Sequence, residues 1–277
     1  SLHTSQSFAR RSVYRQRTVH GMLPVLFLPA LECLESADRN GSHIAKISAE
    51  FLQPVFLEDR LTLSVEYPGD GVRSGKSVDF YIAKSDPHRI VTQGRFTIRD
   101  RDPALAPVVP VVSESYPAHK GLIVGPLAEN STKFSQVERG TREAISFAIG
   151  REQVDRYCAL LSEGLMDYSD RLKDAMQGFR SFHLNLLSAS VLSTVIGMRL
   201  PGRFATFLAF SIDFQSQMQL NHLYKLASRV RFVSKSTNIL VQDVSIFSAV
   251  GSSESEACRG TANVRVSPPP TRMPTMK

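Results

Sequence analysis

The apolar positions of this chain fall into two kinds of run, and the same order of runs occurs twice. From Met22 the chain reads MLPVLFLPALECL, a nearly unbroken apolar stretch of helical length. HIAKISAEF, RLTLSVEY, VDFYIA and IVTQGRFTI follow, each alternating or running apolar over strand lengths, with Gly, Pro and Asp between them. A second apolar stretch, FHLNLLSASVLSTVIG, is followed in the same way by FATFLAFSIDF, LYKLASRVRFV, NILVQDVSIF and ACRGTANVRV. The spacing agrees without a gap: 163 positions separate His20 from His183 and Glu50 from Asp213, and 166 separate Gly94 from Gly260. The pattern predicts an α+β architecture in which one central helix is wrapped by an antiparallel sheet, built twice.

This repeat divides the chain into a first unit over 1–100, a Pro- and Gly-rich connection over 101–142, a second unit over 143–266 and a proline-rich tail, 267–277, expected to be disordered. Within the second unit ISFAIGREQVDRYCALLSEG predicts a strand and then a helix. Its repeat counterpart falls before Ser1, so the first unit is expected to begin upstream of that residue. Pro24 and Pro29 interrupt the first central helix and are expected to bend it or shift its start.

Composition narrows the function classes. A hydrophobic fraction of 42% with 21% charged residues fits an ordinary globular chain. Cys33, Cys158 and Cys258 are widely spaced and contain no C-x-x-C, which predicts neither a disulfide framework nor a zinc site and points to a reducing, cytoplasmic setting. No apolar run approaches the ~20 residues of a membrane span. The formal net charge is +7, yet the 33 Lys and Arg are scattered, so nucleic acid is not the expected partner. A phosphorylated or acidic partner suits that charge better. Glycine-rich phosphate loops, metal-ligand clusters and G-x-S-x-G elements do not occur in the sequence.

The candidate chemistry lies near the start. His3 precedes a short amphipathic stretch, and His20-Gly21 opens the first apolar run. A general base beside the backbone N–H groups of a helix start can move a proton next to a thioester carbonyl while those amides hold the developing oxyanion. His20 is a supporting residue, and Gly21 the sharper candidate, because glycine lets a substrate approach the backbone closely.

The stretches His3-Thr4-Ser5-Gln6-Ser7-Phe8-Ala9-Arg10, Val19-His20-Gly21-Met22-Leu23 and Phe51-Leu52-Gln53-Pro54-Val55-Phe56 with Asp59 and Leu61 resemble the MaoC-like (R)-specific enoyl-thioester hydratase and 3-hydroxyacyl-thioester dehydratase family, which has a double hotdog fold. The likeness is good over 2–61 and weak elsewhere. It implies a hydro-lyase that hydrates trans-2-enoyl thioesters or dehydrates (R)-3-hydroxyacyl thioesters. His3 and the family's aspartate would together move the proton and position water, and the Gly21 amide would be the oxyanion donor, with Phe8, Met22, Pro54 and Phe56 against the substrate. The family's partner aspartate lies five residues before the histidine, a position upstream of Ser1. In the second unit Met166 and Leu161 stand where the pair belongs, which predicts a half without catalytic machinery. The resemblance calls for no cofactor or metal. It implies acyl-CoA or an acyl-carrier-protein thioester as partner, no membrane span, and a homodimer as the candidate assembly.

The alternatives are a hotdog acyl-thioesterase using Glu32, or a non-catalytic acyl-thioester binding protein. Phe204, Phe207, Phe210 and Phe214 are expected to pack the second core or line an acyl tunnel. Arg229, Arg231 and Lys235 are candidates for a pantetheine phosphate or an acidic carrier, or for plain sheet-edge charge.

Overall fold

The computed structural model describes residues 6–10, 14–30, 42–66, 75, 77–100, 122–125, 134–164, 181–202, 204–250 and 253–267. Their helices are α1 (Gln6–Ala9), α2 (Met22–Val25), α3 (Arg151–Gly164) and α4 (Ser181–Thr194), the last running on into a π-helical turn at Val195–Arg199. Four strands belong to the first half: β1 (His43–Phe51), β2 (Leu61–Glu66), β3 (Ser77–Lys84) and β4 (Arg89–Arg99). Six follow: β5 (Ile123–Val124), β6 (Arg142–Ala148), β7 (Ala205–Phe214), β8 (Leu223–Ser234), β9 (Ile239–Val250) and β10 (Ser253–Val266).

All ten strands form one antiparallel sheet in the order β2-β3-β4-β1-β7-β10-β9-β8-β6-β5. Read outward from the β1–β7 junction, β4, β3 and β2 on one side answer β10, β9 and β8 on the other. Even the irregularities repeat. Ala45 is an extra residue in β1 against β4, and Leu208, 163 positions on, is an extra residue in β7 against β10. Val91 in β4 and Ala257 in β10, 166 apart, form a second matching pair of bulges. A bulge bends its strand and raises the local twist, so matching bulges give both halves of the sheet the same curl.

Inside that curl lies α4, packed against β1, β7 and α2. Its residues 183–189 and 191–193 are buried on nearly every side, as an apolar all-round sequence requires. Asn185 satisfies its buried amide across the junction. It donates from Nδ2 to the Ile44 carbonyl at 2.7 Å and accepts at Oδ1 from the Met218 N–H at 3.2 Å. α3 is amphipathic, with Val154, Tyr157, Cys158 and Leu161 buried and Arg151, Glu152, Asp155 and Arg156 in solvent. Residues of both halves share one core, from Met22 and Phe80 to Phe214 and Ile246.

The first half departs from the sequence expectation. In place of a helix through the whole apolar run there is one α-turn, Met22–Val25, and a 3₁₀ turn, Leu28–Ala30; 31–41, with Leu31, Glu32 and Cys33, lie outside the described residues. The physical reason is Pro29. It has no N–H for the carbonyl of Val25, and its ring disfavours helical backbone at Leu28. The ladder has already tightened by then, since the Leu26 N–H is shared between the carbonyls of Met22 and Leu23, both at 3.1 Å. Within the described part of 101–142, β5 pairs with β6, and Val137 is buried in the core.

Candidate functional site at the junction of the two halves

The His20-Gly21 turn is held from below by the 51–61 segment. Thr18 and Phe56 form a β-bridge, and the Val19 N–H donates to the Val55 carbonyl at 2.7 Å. The Leu23 N–H then donates to the His20 carbonyl at 2.8 Å, closing the turn that starts α2. On the other side Tyr14 Oη lies 3.3 Å from Thr206 Oγ1 of β7, so the approach to the turn runs over the second half of the sheet. The carbonyl of Leu26, just past α2, accepts a hydrogen bond from the buried Tyr157 hydroxyl of α3. Burial lifts the Tyr157 phenol well above its ordinary range and keeps it a neutral donor.

Gly21 is in right-handed helical backbone, φ −54° and ψ −36°. An added Cβ would meet the Phe51 ring at 3.7 Å, ordinary contact, so neither φ nor packing in the folded chain demands glycine here. Phe51 in turn lies 5.1 Å from Phe207 and 6.0 Å from Phe210, centroid to centroid. Strict alternation would put Phe207 and Phe210 on opposite faces of β7. The bulge at Leu208 brings both to the inner face, where their rings are 5.7 Å apart. An aromatic wall drawn from both halves thus stands beside Gly21.

His20 is half-buried, and its Nε2 lies 2.8 Å from Ser193 Oγ on α4. Its repeat partner has a different setting. His183 is inside the first turn of α4 rather than ahead of it, fully buried, with Nδ1 3.6 Å from Cys158 Sγ and the Tyr157 ring edge-on at 5.2 Å. The structural reading of His183 is therefore the one that fits its surroundings.

The remaining sequence candidates fall as follows. His3 and Met166 lie outside the described residues, as does Glu32, and of Phe8 only the backbone, in α1, is described. Met22 is fully buried in the core, while Pro54 and Phe56 are half-buried beneath the turn. Phe56 has the Lys84 ammonium 4.7 Å above its ring, and its N–H donates to Asp59 at 2.7 Å. Leu161 is a core residue of α3. Phe210 and Phe214 are buried, with Phe204 and Phe207 half-buried. The Lys235 ammonium is engaged within the chain: it donates to the carbonyls of Phe134 (2.6 Å), Ser135 (3.2 Å) and Val137 (2.6 Å) and lies over the Phe134 ring. Arg231 pairs with Asp243 at 3.4 Å, and Arg229 stands opposite Arg142 in the sheet. Sequence reasoning missed Phe51 and Ser193 as parts of this site. Phe51 lay in a quoted motif; nothing local marks Ser193.

A groove of about 480 Å³ lies elsewhere, on the polar face of the sheet, lined by Ser48, Glu50, Asp79, Arg95, Ser211 and Asn263 among others. Asp79 and Arg95 form a bidentate pair there at 2.6 and 2.9 Å, and Glu50 accepts from Gln93 at 3.0 Å. These groups satisfy one another, and none approaches the His20 turn through a described contact.

No family model and no curated protein matches the chain. Solved structures do. A "MaoC-like dehydratase" matches with a TM-score of 0.61 at 11% identity over 95% of this chain and 88% of the other. A tesB protein of Mycobacterium avium subsp. paratuberculosis matches with a TM-score of 0.53 at 10% identity over 91% of this chain and 88% of the other. At such identities the likeness shows the fold, which is α+β and a double hotdog. Among the described residues no helix is long and apolar enough to cross a membrane.

Proposed function

We propose that this chain is a hydro-lyase acting on acyl thioesters, adding water to a trans-2-enoyl thioester or removing it from the (R)-3-hydroxyacyl thioester. The observation that carries the reading is Gly21. A glycine that neither backbone conformation nor packing requires stands at a turn ahead of α2, beside the aromatic rings of Phe51, Phe207 and Phe210. Leaving the side chain out lets a substrate come close to the backbone next to an apolar wall, which suits a thioester carbonyl carrying an acyl chain.

In the hydration direction His3 takes a proton from water as the oxygen attacks C3. The C2=C3 electron pair moves to give an enolate whose oxygen accepts the Gly21 N–H, and the proton then passes from His3 to C2. Elimination is the reverse, with hydroxide leaving as water. Each atom of water ends on the substrate, so no redox partner or hydrolytic nucleophile is consumed. CoA or a carrier protein bears the thioester, as a component of the substrate.

The test is turnover of crotonyl-CoA and a longer enoyl-CoA by the wild type, His3→Ala and Glu32→Gln. The reading expects loss by ~10²-fold or more in His3→Ala, the scale for removing a general base, and little change in Glu32→Gln. Release of free thiol that depends on Glu32, with no hydration, would replace this assignment by thioester hydrolysis.

A further inference from the structure

The working site takes a residue from the half that carries no motif. We propose that Ser193, on α4, is a positioning residue for the His20-Gly21 turn. The inference rests on the thioester reading above and assigns the second half a part in the first half's chemistry.

Ser193 is 9% exposed, and its Oγ lies 2.8 Å from His20 Nε2, across 173 positions of sequence. The His20 ring is thereby tethered to the central helix, whose residues 183–189 and 191–193 are buried. Two backbone bonds pin the same turn: Val19 N–H to Val55 and Leu23 N–H to the His20 carbonyl. With the side chain fixed as well, the peptide joining His20 to Gly21 has one orientation, and so does the N–H it presents. A donor aimed in advance at a developing oxyanion costs no reorganisation during reaction.

The contact is one-sided. Under the 163-residue repeat, Ser193 corresponds to Ala30 and His20 to His183. An alanine has no hydroxyl to offer, and His183 engages Cys158 on its own half instead. Among the described contacts the tether therefore occurs only beside the His-Gly sequence, which general packing needs of a symmetric fold do not explain.

The experiment compares wild type, Ser193→Ala and Ser193→Thr by steady-state kinetics on an enoyl-CoA and by ¹⁵N NMR of the histidine rings, with His20→Gln assigning the His20 signals. Ser193→Ala should lower kcat about tenfold while KM stays within about twofold, because the oxyanion contact strengthens in the transition state. The His20 ring ¹⁵N shifts should move, and Ser193→Thr, which keeps the hydroxyl, should restore both. Unchanged ring shifts in Ser193→Ala would overturn the contact itself. Moved shifts with unchanged kcat would overturn the positioning role. A wild type inert toward both enoyl and saturated thioesters would overturn the catalytic reading and this role with it, and the ring shifts, read without substrate, tell that failure from the other two.

Discussion

Ser48 on β1 stands directly opposite Ser211 on β7, and the two are 163 positions apart, the repeat offset itself. Each residue is thus paired with its own repeat image. The neighbouring pairs obey the same relation, because Ile47 opposite Ile212 maps onto Ala49 opposite Phe210. A pseudo-two-fold axis passes between the two serines, and the halves meet through a continuous sheet with a common core, not through a separable interface.

The glycines 166 positions apart guard that axis. A Cβ on Gly94 would come within 2.2 Å of the Ser48 carbonyl oxygen, and one on Gly260 within 2.2 Å of the Ser211 carbonyl oxygen. Backbone cannot yield as a flexible side chain does, so Gly94→Ala and Gly260→Ala should each destabilise by about 1–3 kcal/mol or more, with similar values for the pair. Urea denaturation followed by circular dichroism measures this. A tolerated alanine at either position would contradict the described register.

Asn185 offers a second quantitative test. Asn185→Ala removes two buried hydrogen bonds, to the Ile44 carbonyl and from the Met218 N–H. Losing both buried bonds should cost about 3 kcal/mol, far more than an exposed Asn→Ala change, and equilibrium unfolding should show it without a change in the native spectrum.

For Lys235 a local effect is expected. Its ammonium closes the 3₁₀ turn at Phe134–Gln136 against the end of β8. Lys235→Met keeps the aliphatic stem but loses those bonds. Global stability should fall by only about 1 kcal/mol, while amide hydrogen exchange over 134–137 should quicken clearly more than elsewhere.

Stability should also depend on pH through two imidazoles. Burial holds His43 below its ordinary value, with Arg99 acting in the same direction and Asp100 opposing, and burial alone lowers His222. In the unfolded chain both titrate at about 6.5. The unfolded state therefore binds more protons over the interval below that value. Their contribution is fully present above pH of about 6.5 and is lost as pH falls through the lowered folded values. Thermal melts should accordingly show a lower Tm at pH 5.5 than at pH 7.5, with the difference reduced in His43→Gln. A Tm that rises on acidification, with carboxylate titration controlled by the same variant, would contradict this.

The division of the chain into repeated helix-and-strand units was legible because period-two alternation and turn residues are local properties, and because the offset from His20 to His183 and from Glu50 to Asp213 survives in the residue types themselves. The strands lie where the alternation puts them, and the offset runs down to matching bulges at Ala45 and Leu208. His20 and Gly21 were legible as a turn ahead of an apolar run for the same reason. The failure of that run to become one long helix was foreshadowed by Pro29, yet how far the helix would survive depends on what holds Leu26 and its neighbours, including the hydroxyl of Tyr157, 131 positions away.

What the sequence determined by itself was the repeat, the succession of strands along each half and the candidate turn. Only the tertiary structure decided which residues meet there. Phe207 turns inward because a bulge reverses the parity of β7, Lys235 is captured by carbonyls about a hundred positions earlier, and Ser193 reaches His20 across 173. Each of these depends on chain closure over distances at which the identity of one residue says nothing about the other, so no local pattern could carry them.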